Sequence, residues 1–212
     1  MRPFKIAFTI VSFLAVSCGA DSQEEEKKEE PAAVEQKITD TTFFLNDIYT
    51  FSEEGGPVGV FDIPEMLVLS ILDSAASNDV GTVMNKNYVT LGEEVTSIGA
   101  EINGPIGMIN YNNDPKNFTF ENIVFIKRMP KVQPAKSKLV VLEASKMLVF
   151  NFYGPYQSLF AAYDKIRRYC EKQDLLQSGP MREFYLTDPE KEKDQQKWLT
   201  RIMLPVISMH KK

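Results

Sequence analysis

The chain repeats itself, and an internal repeat restricts a fold more than composition does. Pro64-Glu65-Met66-Leu67-Val68-Leu69-Ser70-Ile71 matches Ser145-Lys146-Met147-Leu148-Val149-Phe150-Asn151-Phe152. Asn103-Gly104-Pro105-Ile106-Gly107-Met108-Ile109-Asn110 parallels Ser178-Gly179-Pro180-Met181-Arg182-Glu183-Phe184-Tyr185. Each Gly-Pro is followed about ten residues later by Asp-Pro, at Asp114-Pro115 and Asp188-Pro189. Each Asp-Pro then leads through a polar loop to an aromatic-started apolar run ending in proline, Phe120 to Pro130 and Trp198 to Pro205. These landmarks, in the same order, define two copies at about 57–130 and 138–207.

Within each copy the hydrophobic period changes from element to element. Met66 to Leu72 and Leu139 to Phe152 are rich in β-branched and aromatic residues and read as strands. Met84, Tyr88, Leu91, Val95 and Ile98 recur at spacings of three and four, the apolar stripe of an amphipathic helix between Thr82 and Ala100. Gly92 weakens that helix by roughly 1 kcal/mol. Tyr156, Leu159, Phe160, Tyr163, Ile166 and Cys170 give the second stripe, with Pro155 expected at the first helical position. Two strands joined by the Asp-Pro loop follow each helix, so each copy is β-α-β-β. One copy alone would leave a sheet face and a helix stripe half covered. The expected fold is therefore α+β, with tandem β-α-β-β repeats sharing one antiparallel sheet and two long helices on one face.

The residues ahead of the repeats have a different character. Arg2 and Lys5 precede an apolar run from Ile6 to Val16, too short to span a bilayer and suited to a signal-peptide core. Ala15-Val16-Ser17-Cys18-Gly19 resembles the lipobox of bacterial lipoproteins, with Ala15 where Leu is commoner. The alternatives are an ordinary secretory signal with an incidental cysteine, or a buried apolar strand. On the lipoprotein reading residues 1–17 are the signal and Cys18 is lipidated. Residues 18–40 are then an acidic tether too poor in apolar groups to fold, and residues 41–212 are the domain. The Ser22-Gln23-Glu24-Glu25-Glu26 stretch also resembles the acidic export signal of some surface lipoproteins. The expected location is the cell envelope, at the periplasmic face of the outer membrane or the cell surface, with the membrane as partner through the lipid.

Of the formal net charge of −5, residues 41–212 carry only −2, so the acidity is concentrated in the tether. No basic footprint for nucleic acid is present. Cys170 has no partner if Cys18 carries lipid, and reads as an inert core residue on the second helix. A single histidine, His210, argues against a zinc site or a Ser-His-Asp triad, and no metal or cofactor is expected.

Tyr153-Gly154-Pro155-Tyr156, the amphipathic helix, the stretch from Gly179 to Pro189, then Trp198 and Ile202-Met203-Leu204-Pro205-Val206 together resemble the GyrI-like effector-binding domain. That domain occurs in multidrug-responsive transcription activators and in free-standing small-molecule binders. The resemblance covers residues 138–207 well, whereas over 57–130 only the repeat's landmarks survive. It implies the two-repeat fold with a ligand cleft between the copies. It also implies that Glu183 is the acid that meets the positive charge of a lipophilic cation, with aromatic side chains packing the rest. Related free-standing members resemble hydrolases of strained electrophiles that use the same acid with a nearby tyrosine, which would be Tyr185. Positions i and i+2 of a strand share a face.

A physical argument about Glu183 stands beside the resemblance. A carboxylate among Met181, Phe184, Tyr185, Leu186 and Trp198 is poorly solvated, so its pKa rises unless a cation or donor is near. It then serves as a counter-charge helped by ring faces, or as a general acid/base. The competing reading has Glu183 facing water, or paired with Arg182 or Arg201. Counted from Gly-Pro, its counterpart in the first copy is Met108, so one asymmetric pocket is expected. Trp198 and Tyr153 are further candidates for its walls, with Tyr111 and Phe61 on the far wall, while Tyr156 is expected to pack the helix stripe. Two functions compete: an anchored binder of an apolar, cationic, amphipathic small molecule, and a hydrolase of reactive xenobiotics using Glu183 and Tyr185. Haem binding, suggested by other two-repeat relatives, is disfavoured by the lone His210. Transcriptional activation is disfavoured because no helix-turn-helix precedes the domain.

Overall fold

A link of two residues decides the shape of the sheet. The computed structural model describes residues 58–209; the signal, Cys18, the tether and His210 lie outside them. Among the described residues nine strands form the sheet: β1 (Val58–Ile63), β2 (Met66–Ala75), β3 (Ile102–Asn110), β4 (Phe118–Ile126), β5 (Lys138–Leu142), β6 (Ser145–Tyr153), β7 (Leu175–Gln177), β8 (Met181–Tyr185) and β9 (Leu199–Ser208). Their order is β1-β6-β9-β8-β3-β4-β2-β5, with β7 beside β9. Pro64 and Glu65 alone connect β1 to β2, and so span at most about 11 Å between Ile63 and Met66. In a flat sheet these strands, six places apart in that order, would be about 29 Å from each other. Glu143 and Ala144 impose the same demand on β5 and β6. The sheet must curl, and it does.

The order also displays the repeat. Replacing each strand by its mate in the other copy (β1 by β5, β2 by β6, β3 by β8, β4 by β9) reverses the list. The two copies therefore meet at β3 and β8, where Met108 stands opposite Glu183, its own counterpart. The first copy carries one strand more than the β-α-β-β expected, and the second carries two, the further one being the short β7. The run from Leu139 to Phe152 divides at Glu143-Ala144, because β5 pairs with β2 of the first copy while β6 pairs with β1 and β9.

Period-two alternation sorts the side chains onto two faces. One face carries Val68, Ile123, Phe125, Met147, Val149, Phe184 and Met203, a fully buried core inside the curl. The other face takes both helices. Leu67, Leu69, Val124 and Ile126 pack on α1 (Val80–Ser97), and Leu148, Phe150, Ile202 and Leu204 pack on α2 (Leu159–Lys172). Leu159, Ala162, Ile166 and Cys170 form the buried stripe of α2. Burying a side chain the size of Leu or Ile contributes about 1.5–3 kcal/mol. Gly92 is tolerated within α1, where nothing lies within 4 Å of the position its Cβ would take.

Two sequence expectations shift. Pro155 does not start α2; it is extended (φ −69°, ψ 148°) ahead of a single 3₁₀ turn at Tyr156–Ser158, and the α-helix begins at Leu159. Gly154, at φ 144°, turns the chain there and donates its N–H to the Trp198 carbonyl. Pro205 does not end its strand but lies inside β9, opposite Met147. Buried Glu94 on α1 holds the segment between the copies, with Oε1 accepting the amides of Ala135 and Lys136 at 2.6 Å each.

Where the copies meet, Gly107 lies opposite Phe184. A Cβ at Gly107 would come within 2.5 Å of the Phe184 ring and 2.7 Å of the Glu183 carbonyl oxygen. Gly107→Ala is therefore expected to destabilise the protein by about 1–3 kcal/mol, since the backbone of β8 cannot yield cheaply; urea unfolding measures it, and an unchanged midpoint would contradict this packing.

Candidate functional site

The site grows from the alternation of β8. Phe184 points into the inner core, so Glu183 and Tyr185 point toward the helices, and Arg182 points the other way. Glu183 is 1% exposed. It neither faces water nor pairs with Arg182. Its Oε1 accepts a short hydrogen bond from the hydroxyl of Tyr163 on α2, and its Oε2 accepts one from Tyr185 at 3.2 Å.

Burial pushes the Glu183 carboxyl above its ordinary range, while the two tyrosine hydroxyls pull the other way by donating to the ionised form. The same surroundings act on the phenols. Burial first, and then the Glu183 charge, raise the pKa of both Tyr163 and Tyr185. The three groups form one polar cluster in which burial opposes ionising any one.

Tyr163 escapes a reading of the sequence because it is also a stripe residue of α2, and stripe aromatics are normally core. The repeat carried a signal. Tyr88 holds the equivalent place on α1, separated from Tyr163 as the two Gly-Pro pairs are separated. A buried tyrosine hydroxyl needs a partner. Tyr88 finds the carbonyl of Gly107 at 2.8 Å on β3, where no acid exists, and Tyr163 finds Glu183.

Above this floor lies a cleft of about 1150 Å³. Met84 and Tyr88 of α1 form one wall, Tyr156 and Leu159 another, and Ile102–Ile106 with Tyr185–Pro189 complete it. No lysine or arginine is among these lining residues. Tyr156 packs on the α2 cluster as expected, yet it also lines the cleft, edge-on to Tyr185 with ring centroids 5.3 Å apart. Glu183 itself lies beneath the cleft surface and is reached through Tyr185.

The remaining candidates are distributed around the cleft. Trp198 backs it, its ring tilted 39° to that of Tyr156 with centroids 4.9 Å apart, and with Nε1 donating to the Glu192 carbonyl at 2.8 Å. Tyr153 is half exposed at the end of β6 and does not line the cleft. Tyr111 lines a separate, shallower groove with Asn110, Gln177, Gly179 and Pro180. Its hydroxyl donates to Glu121 at 2.6 Å, and its pKa is pushed up to about 12 by burial and by that carboxylate. Phe61 packs against the inner core. Among the described residues no group of three or more His, Cys, Asp and Glu side chains could hold a metal ion.

Comparison with known proteins gives a family and a set of similar folds. A family model described as the GyrI-like small molecule binding domain matches residues 60–207. The C-terminal domain of EcmrR is 21% identical with a TM-score of 0.63, covering 73% of this chain and 99% of that one. An uncharacterised conserved protein from Listeria innocua is 18% identical with a TM-score of 0.57, covering 71% and 92%. A hydrolase from Listeria innocua is 17% identical with a TM-score of 0.52, covering 71% and 91%. At these identities the likeness is one of fold. Curated protein sequences give no match.

Because the folded protein holds the Glu183 proton more tightly than the unfolded chain does, this carboxyl contributes stability below the ordinary carboxylate pKa. That contribution is lost as pH rises through its raised folded pKa. Glu183→Gln removes the titration while keeping the shape. The expected outcome is a Tm gain for the variant over wild type that is absent near pH 4 and grows as pH rises, read from thermal unfolding across that range. A constant difference would contradict a raised pKa.

Proposed function

Because the chain belongs to the GyrI-like small-molecule binding family, we propose that its cleft binds an apolar cation with Glu183 as counter-charge, in a domain held at a membrane by lipid on Cys18. The observation that carries this reading is a carboxyl buried between two tyrosine hydroxyls beneath an aromatic cleft. Burying an ionisable group without a cation is unfavourable, and a bound cation offsets that cost. The rings of Tyr88, Tyr156 and Tyr185 supply apolar area and π faces, which attract a desolvated cation by about 2 kcal/mol in favourable geometry. A volume of about 1150 Å³ suits a large organic ligand. Binding also draws the proton from Glu183, so affinity rises with pH until the carboxyl is ionised in the empty protein as well.

The anchor rests on the sequence around Cys18. It separates this protein from regulators of similar fold, because a lipidated domain meets amphipathic molecules at the envelope. A second reading is favoured by one feature of the same site. A carboxyl with a raised pKa, bonded to a tyrosine that lines the cleft, is also an acid/base pair suited to opening a strained electrophile with water.

The test uses the chain from residue 18 onward carrying Cys18→Ser. Lipophilic cations such as tetraarylphosphonium and quinolinium salts are expected to raise its Tm and change the fluorescence of Trp198, the only tryptophan. Glu183→Gln should lose at least tenfold in affinity, about 1.4 kcal/mol. If no cation binds, the binding reading fails. Turnover of an epoxide that depends on both Glu183 and Tyr185 would move the conclusion to hydrolysis. In cells, Cys18→Ala is expected to move the full-length protein from the membrane to the soluble fraction; if it stays membrane-bound, the lipid anchor is refuted.

A further inference from the structure

We infer, resting on the cation-binding reading above, that the cleft is built for elongated dications, with Glu183 at its floor and Asp188 at its mouth as two separated counter-charges. Asp188 lines the cleft at the start of the loop from β8 to β9. Its Oδ1 accepts the amide of Glu190 at 2.9 Å, which fixes the carboxylate in place. That main-chain bond, followed by Lys191, holds its pKa below the usual range, so it is charged at neutral pH.

The Asp-Pro landmark by itself explains only a turn. Asp114 makes the same turn in the first copy, accepting the Lys116 amide at 2.9 Å, and lines neither groove. What differs at Asp188 is position. Tyr156 stands beside it, close enough for the Asp188 charge to raise the phenol's pKa after burial. Tyr156 then meets Tyr185 edge-on, and Tyr185 touches Glu183. Two aromatic rings thus form a continuous path between the two acids. A bound molecule can leave one positive centre over each end while its apolar middle covers the rings.

Two cations of the chain itself face Asp188. Lys191 Nζ sits 3.2 Å from its Oδ2, with the lysine side chain 86% exposed, and Lys193 donates to the Pro189 carbonyl at 3.2 Å. Lys191 shows that an ammonium fits at this end. An exposed pair of this kind is weak, so a ligand that also covers Tyr156 displaces it readily. The span is bounded by the backbone. Asp188 follows Glu183 by five residue steps, at most about 17 Å along an extended chain, which suits positive centres roughly 10–15 Å apart.

The experiment compares a decamethylene-linked bis-quinolinium salt with N-decylquinolinium on the same chain from residue 18, reading Trp198 fluorescence. Two identical heads give the bis-cation a twofold statistical advantage without any second counter-charge. The expected ratio of affinities exceeds fivefold and falls as salt is raised. Asp188→Asn keeps an acceptor for the turn but removes the charge, and should lower that ratio three- to fivefold. Glu183→Gln should weaken both probes. A wild-type ratio near two, or a ratio unchanged by Asp188→Asn, overturns the inference while leaving monocation binding intact. Failure of both probes to bind wild type overturns the cation reading itself and this inference with it.

Discussion

The two copies of the repeat are joined through β3 and β8, and that antiparallel pair governs both the architecture and the chemistry. Its register sets Met108 against Glu183, the same position of the two copies brought face to face. Two like charges directly opposite each other on adjacent strands repel, and more strongly when buried. An acid retained in both copies would therefore have to share one proton across the junction. One acid facing a thioether avoids that conflict, and the symmetric backbone carries an asymmetric site. Gly107 serves the same junction by leaving room for the Phe184 ring that locks β8 to the inner core.

The asymmetry extends outward from that pair. Tyr88 and Tyr163 enter from the two helices at equivalent places, one ending on a backbone carbonyl and the other on the carboxyl. In the first copy Asn110 stands where the second has Tyr185. The groove it helps line is open and shallow, whereas the Tyr185 side is deep. The repeat supplies two equivalent positions, and the side chains that fill them differ between the cleft and the shallow groove.

Much of this could be read from the sequence, and what could not has a physical cause. The repeat, the sheet with helices on one face, and the shared face of Glu183 and Tyr185 follow from landmarks and from the periods of strand and helix. The division of Leu139 to Phe152 into two strands does not, because Glu143-Ala144 carries none of the glycine, proline or asparagine that marks a turn. Register across strands is equally silent, so the sequence could not tell that Tyr111 belongs to another groove or that Tyr153 ends outside the cleft. Tyr163 was hidden by its own periodicity: a position that serves the core with its ring and the site with its hydroxyl looks like core alone. Tyr156 packs the α2 cluster as its place in the stripe predicts, but its second role is not legible, because the helix begins four residues later than Pro155 suggests and leaves its ring on a turn facing the cleft.

The exchanged first strands have a consequence for how the molecule comes apart. β1 belongs by sequence to the first copy but lies against β6 of the second, and β5 lies against β2 of the first. Neither half holds a complete set of its own strands, so neither can melt while the other stays whole. The contacts that complete the sheet join residues far apart in the chain, which makes assembly slow and loss of structure all-or-none. A protein assembled in this way keeps its cleft intact until the entire sheet gives way.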